Sequence, residues 1–213
     1  LKLHPSDSSE AANALTNIAF THAEHGEIQK AVRDFTKAEA IFANCRIRSK
    51  LSWLYYLKGR GLLMNDKTEQ AISALSQAYE QASELNLEHW ENLSALYLSQ
   101  AYLELGETDK SLRYCEPISK LRPLSWVKAK ALILRAWAAK ESGENIEEGV
   151  VLLKEALDIM IKLENLSGVY YALFQLASTL KHANRNDLSN KILGYMQSNN
   201  GYTLLTHGDR QAL

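Results

Sequence analysis

The chain has 213 residues, 46% of them hydrophobic, and its 24 Lys and Arg nearly cancel its 25 Asp and Glu to leave a net charge of −1. That length allows one short solenoid or one to two domains with a sizeable core. The balanced charge removes any electrostatic case for direct nucleic-acid or anionic-membrane binding, and no apolar run approaches the roughly 20 residues of a membrane span.

Three prolines and ten glycines are too few for an all-β fold rich in tight turns. The two cysteines, Cys45 and Cys115, form neither a disulfide framework nor a zinc spacing, which fits a reducing, cytoplasmic setting. No basic stretch leads into an apolar one as in a signal peptide. A first residue of Leu1 rather than Met reads as a piece cut from a longer protein, or as one lacking its true start.

Helical apolar spacing and turn residues predict ten helices in chain order, over about 8–24, 28–44, 48–64, 67–85, 88–105, 108–121, 126–142, 146–164, 167–183 and 187–198. Asp7 with Glu10 and Asn145 with Glu148 read as capping boxes, and Asn186 as an N-cap. The 44–48 boundary has no breaker and is placed by period alone. Pro117, which cannot donate to the carbonyl four residues back, should kink or shorten the sixth helix.

The helices fall into five copies of one pattern: a small residue, a turn former seven later, and a second small residue about five beyond. The copies are Ala19, Gly26 and Ala31; Gly59, Asp66 and Ala71; Ser99, Gly106 and Ser111; Ala136, Gly143 and Gly149; and Ala177, Asn184 and Ser189. Two antiparallel helices that cross closely need small residues at the crossing, and Gly, Asn and Asp tolerate the left-handed conformation that ends the first helix. The second helix carries an apolar stripe, such as Ala31, Phe35, Ala38 and Phe42.

This pattern resembles the tetratricopeptide repeat. Leu15, Ile18, Ala19, Gly26, Ala31, Phe35 and Ala38 match it in the first copy. Leu98, Ser99, Tyr102 and Gly106 match it in the third, which ends on Pro123. Lys58 and Arg135 stand where the family has Leu, so their helices should sit slightly rotated. The resemblance implies an all-α, right-handed superhelix of five hairpins over 1–198, with repeats at 8–45, 48–85, 88–123, 126–164 and 167–198 and a tail or partial cap at 199–213. Turn to turn, 26 to 66 and 66 to 106 are 40 residues each, 106 to 143 is 37 and 143 to 184 is 41, against about 34 for the standard repeat. Long repeats of this kind are similar to those of large bacterial signalling proteins, the maltose-type transcription activators among them. Asn190 to Gly194 followed by Tyr202 to Arg210 resembles the close of the repeat region there.

The resemblance also places the first helix of each pair on the concave face. The inward set by register is Asn13, Asn17, Phe20, Trp53, Tyr56, Arg60, Gln100, Lys130, Trp137, Lys140, Tyr171, Phe174 and Lys181. Asn17 sits where family members often hold a peptide backbone. Aromatic anchors mixed with Arg, Lys and Asn have the composition of binding hot spots, although the same rings could fill the seam between repeats. Trp53, Tyr56, Trp137 and Phe174 are expected to be at least partly exposed.

Catalytic constellations are not found: no phosphate loop, no nucleophile elbow, no carboxylate pair. His22 and His25 share a helix face without a third ligand, so a core or seam role for His22 outweighs metal binding. Cys45 and Cys115 read as buried small hydrophobes rather than nucleophiles, Cys115 at a core position. The expectation is a non-enzymatic module without cofactor or metal, binding a protein, a peptide or a small effector. It would serve as the sensor or interaction segment of a cytoplasmic regulator or, alternatively, as a stand-alone peptide-binding adaptor. Leu193 and Met196 should face the preceding helix and leave Ile192 and Tyr195 uncovered, as an edge for residues 202–205, a next element or a second copy.

Overall fold

The computed structural model of the protein describes residues 8–122, 125–143 and 145–199. Among them the chain forms ten helices and no strand: α1 Ser9–Glu24, α2 Ile28–Asn44, α3 Arg48–Leu63, α4 Thr68–Glu84, α5 Glu88–Glu104, α6 Thr108–Ser119, α7 Trp126–Ser142, α8 Ile146–Lys162, α9 Leu166–His182 and α10 Asn186–Ser198. No end differs from its expected position by more than two residues.

Two compact units divide the chain, residues 1–105 and 106–213. In the first, α1–α2 and α3–α4 are hairpins, α5 lies on α4, and the odd-numbered helices α1, α3 and α5 also pack on one another. In the second, α6 lies on α7, α7–α8 and α9–α10 are hairpins, and α7 packs on α9.

The turns explain the register. All five expected turn residues hold left-handed backbone: Gly26 (φ 76°), Asp66 (56°), Gly106 (74°), Gly143 (69°) and Asn184 (58°). At Gly26 the Glu27 N–H reaches back to the His22 carbonyl at 2.9 Å and the Gly26 N–H to that of Ala23 at 3.0 Å. These two bonds satisfy carbonyls the helix end would otherwise leave open. The connections into the next first helix use the same device at Arg46 (φ 57°), Asn86 (52°) and Glu164 (53°). The missing breaker at 44–48 is therefore Arg46, a residue that carries no sequence signal for this conformation.

The crossings are as tight as the small residues demand. A Cβ built on Gly59 would stand 2.4 Å from Leu75 Cγ and 3.3 Å from the Ala71 carbonyl oxygen, and one on Gly149 would stand 3.3 Å from that of Ala136. Ser189 Oγ donates to the Ala177 carbonyl at 2.8 Å, tying α10 to α9. Lys58 and Arg135, the departures from Leu, each reach the preceding second helix. Lys58 Nζ lies 3.8 Å from Glu39 on α2; Arg135 Nη1 donates to Ser119 on α6 at 3.3 Å and its Nη2 pairs with Glu148 on α8 at 3.1 Å.

Pro117 lies in the last turn of α6, which has 12 residues where α2, α4 and α8 have 17. The helix is shortened as expected. The caps differ in part. Ser8, not Asp7, accepts from the third residue of α1, and Asp7 lies outside the described residues. Asn145 accepts from the Glu148 N–H and donates to its carboxylate. Asn186 is the first residue of α10 and does not cap it, whereas Asn165 caps α9. On α10, Met196 is fully buried among Tyr170 and Phe174, with Leu193 against the same cluster. Tyr195 is exposed as expected, but Ile192 is half-buried on that cluster rather than uncovered. Residues 202–205 lie outside the described residues.

Candidate ligand-binding surface

All thirteen candidate residues lie on the odd-numbered helices. Asn13, Asn17, Phe20, Trp53, Tyr56, Arg60 and Gln100 belong to the first unit, and Lys130, Trp137, Lys140, Tyr171, Phe174 and Lys181 to the second.

Three of the first set come together. Phe20 and Arg60 hold the same place in successive repeats, one residue past the small residue, and the packing of α1 on α3 brings the guanidinium carbon 4.9 Å from the Phe20 ring centre. Tyr56, one turn before Arg60, lies 5.7 Å from that carbon and accepts a long hydrogen bond from Arg60 Nη1 at 3.4 Å. Two residues absent from the register set complete the cluster from α5. Tyr97 places its ring 5.2 Å from the guanidinium and 5.7 Å from Tyr56, edge-on. Trp90 stands 5.6 Å from Tyr56. Signals for both existed: Tyr97 occupies in the third repeat the place Asn17 holds in the first, and Trp90 lies two helical turns earlier on the same face.

Tyr56 is buried, only 4% exposed. Burial pushes its phenol well above the ordinary value, with Tyr97 adding to the shift, so it stays neutral and hydrogen-bonding. The expectation that its ring would be partly exposed is corrected, because α3 is enclosed between α1 and α5. Trp53 is half-buried, with Lys50 Nζ 5.6 Å from its ring centre. Asn17 is exposed. Asn13 is half-buried and its Oδ1 has no hydrogen-bond partner among the described residues. Gln100 donates to Glu104 at 3.0 Å.

In the second unit, Trp137 Nε1 donates to Glu141 at 2.9 Å, and Lys140 pairs with Glu141 at 3.3 Å and reaches Ser178 on α9 at 3.5 Å. Tyr171 and Lys130 are half-buried and Lys181 is exposed. Phe174 is buried against Met196, so it belongs to the α9–α10 seam and not to a partly exposed surface. The polar atoms of Trp137 and Lys140 are engaged with neighbours on the first-helix layer.

His22 and His25 do not share a site. His22 Nδ1 meets Glu27 at 2.6 Å across the first turn, and the His25 ring meets the Thr21 carbonyl at 2.8 Å. Hydrogen bonds from Lys30 and then His22 hold the Glu27 carboxyl below its ordinary value. Among the described residues no group of His, Cys, Asp and Glu is arranged to hold a metal, and no helix is long and apolar enough to cross a membrane. Cys115 is fully buried as expected, whereas Cys45 is only half-buried, because it caps the end of α2 instead of lying inside the helix.

No family profile matches the sequence, and no curated protein does either. Solved structures do match. One is a protein from Podosopora anserina described as a kinesin light chain with nearly identical TPR-like repeats: TM-score 0.68, 18% identity, covering 93% of this chain and 99% of that one. A point variant of it gives 0.70, 17%, 92% and 97%. BtubC (BKLC) from P. vanneervenii gives 0.63, 15%, 93% and 92%. At these identities the likeness is one of fold: the chain is an all-helical protein of tetratricopeptide-like repeats.

Proposed function

We propose that this chain is a protein-interaction module that holds an extended segment of a partner protein along the first-helix layer of residues 1–105. The observation that carries this is the cluster of Phe20, Tyr56, Arg60, Trp90 and Tyr97, contributed by three successive first helices. Trp, Tyr and Arg are the residues in which binding energy concentrates. The half-buried rings of Phe20, Trp90 and Tyr97 give contact area with little rotamer entropy to lose.

Such a module suits the interaction segment of a multidomain cytoplasmic regulator. The repeat length of about 40 residues supports that setting over a stand-alone adaptor. The second reading would need Lys and Asn at set places in neighbouring repeats, and the first helices offer only Asn17 and scattered lysines such as Lys50 and Lys181. No residue constellation supports catalysis.

Selection of random dodecapeptides, displayed with free C termini, against the whole chain tests the proposal. Enrichment of a sequence family whose binding is lost in Trp90→Ala and Phe20→Ala is the expected result. An unenriched library, or binding indifferent to both substitutions, would contradict it.

A further inference from the structure

The first residues of the odd-numbered helices differ between the two units. In residues 1–105 they are Ser9, Arg48 and Glu88, and Arg48 pairs with Glu84 at 2.6 Å. In residues 106–213 they are Trp126 and Leu166, 39% and 59% exposed. Leu163, which caps the end of α8, is 41% exposed. Helices α7 and α8 form a hairpin, and both pack on α9. The start of α7, the end of α8 and the start of α9 therefore lie at one end of this unit. A lone exposed apolar residue is ordinary, but several gathered in one place mark a contact surface.

The turn between α8 and α9 is fixed. The Asn165 N–H bonds to the Met160 carbonyl at 3.0 Å, and Asn165 Oδ1 accepts from the Gly168 N–H at 2.9 Å. Gly168 packs so closely on Met160 that a Cβ there would stand 2.5 Å from its sulfur. Leu163 and Leu166, on either side of this turn, are held at the surface. Helix α10 returns the chain to the same end. Tyr170, one turn into α9 from Leu166, donates a long hydrogen bond from its hydroxyl to the Asn199 carbonyl at 3.4 Å. The chain thus leaves α10 beside α9, not over the outward face of α10 where Tyr195 is exposed.

Next in sequence come Tyr202, Leu204 and Leu205, with no Asp, Glu, Lys or Arg between Asn199 and Asp209. Leu205 lies within about 20 Å of Asn199 along an extended chain. Leu166 is about 6 Å along α9 from Tyr170, and α7 is one helix spacing, about 10 Å, farther. We propose that residues 202–205 dock in the same chain on this end of the second unit, against Trp126, Leu163 and Leu166. Tethering favours the chain's own segment over a free partner, because a short connection sets an effective concentration of about millimolar. The segment then competes with any outside apolar sequence for these three side chains. This contact is independent of peptide binding by residues 1–105.

Photo-cross-linking of the whole chain tests it. Benzoylphenylalanine is placed in turn at positions 202 and 204, and an equal mixture of isotope-labelled and unlabelled protein is irradiated. The expected result is cross-links within one chain to Trp126, Leu163 or Leu166 and their immediate neighbours. In parallel, the double variant Leu204→Asp, Leu205→Asp should shift the Trp126 indole N–H resonance and leave those of Trp53 and Trp90 in place, with unchanged circular dichroism. Cross-links between labelled and unlabelled chains would assign this end to a second copy. Cross-links to the outward face of α10 would make residues 202–205 a cap on the last helix. No cross-link, together with an unmoved Trp126 resonance, would mean that this chain does not cover the end. Any of these three results overturns the proposal.

Discussion

At the scale of single residues, two glycines in helices show how position decides the sign of one substitution. Gly59 lies at the α3–α4 crossing, where an added Cβ would meet Leu75 Cγ at 2.4 Å, and Leu75 is fully buried with nowhere to move. The helix-propensity gain of Gly→Ala, about 1 kcal/mol, is set against an overpacking cost of about 1–3 kcal/mol. Gly194 in α10 has open space around its would-be Cβ, so only the gain applies. Gly59→Ala should lower the thermal midpoint and Gly194→Ala should raise it; both moving upward would show that the crossing has slack.

Residues of this kind were legible in the sequence because a close crossing leaves its mark as a small residue at a fixed place. The site was less legible. Phe20 and Arg60 were read from register, whereas Tyr97 and Trp90 were not, although Tyr97 holds the place of Asn17 in its repeat. The pattern names positions on a helix, not which side chain is long enough to cross to the next one. Burial of Tyr56 and Phe174 was hidden for the same reason, since it depends on the helices on either side.

At the scale of elements, the turns between repeats divide into two kinds. Those within a hairpin use Gly26, Asp66, Gly106, Gly143 and Asn184, residues that adopt left-handed backbone at little cost. Those between hairpins use Arg46, Asn86 and Glu164 at φ 57°, 52° and 53°. Arg46 and Glu164 are held there by packing on both sides and by carbonyl bonds such as that from the Ile47 N–H to Phe42 at 3.0 Å. Left-handed backbone costs an ordinary L-residue about 1–2 kcal/mol. Part of any gain from glycine returns as unfolded-state entropy. Arg46→Gly should therefore stabilise the protein by about 0.5–1 kcal/mol, read as a higher denaturant midpoint with unchanged slope. A lower midpoint would mean that the Arg46 side chain contributes more than its backbone costs. This boundary could be placed from sequence by period alone, because the conformation is imposed by the neighbouring helices rather than favoured by the residue.

At the scale of the whole molecule, helices of 16 or 17 residues predominate, with the shorter α6 and α10 as exceptions, and the chain divides into residues 1–105 and 106–213. The aromatic and cationic cluster around Arg60 lies in the first unit; in the second, the polar atoms of Trp137 and Lys140 are bound to neighbours. Unit-level asymmetry of this sort makes the location of binding the decisive question. The four tryptophans report on it: Trp53 on α3, Trp90 on α5, and Trp126 and Trp137 on α7. Their indole N–H resonances, assigned by single substitution, can be followed as the selected peptide is added to the whole chain. Binding through the first-helix layer of residues 1–105 predicts that Trp90 and Trp53 shift with the peptide while Trp126 and Trp137 stay in place. Shifts confined to Trp126 and Trp137 would contradict it.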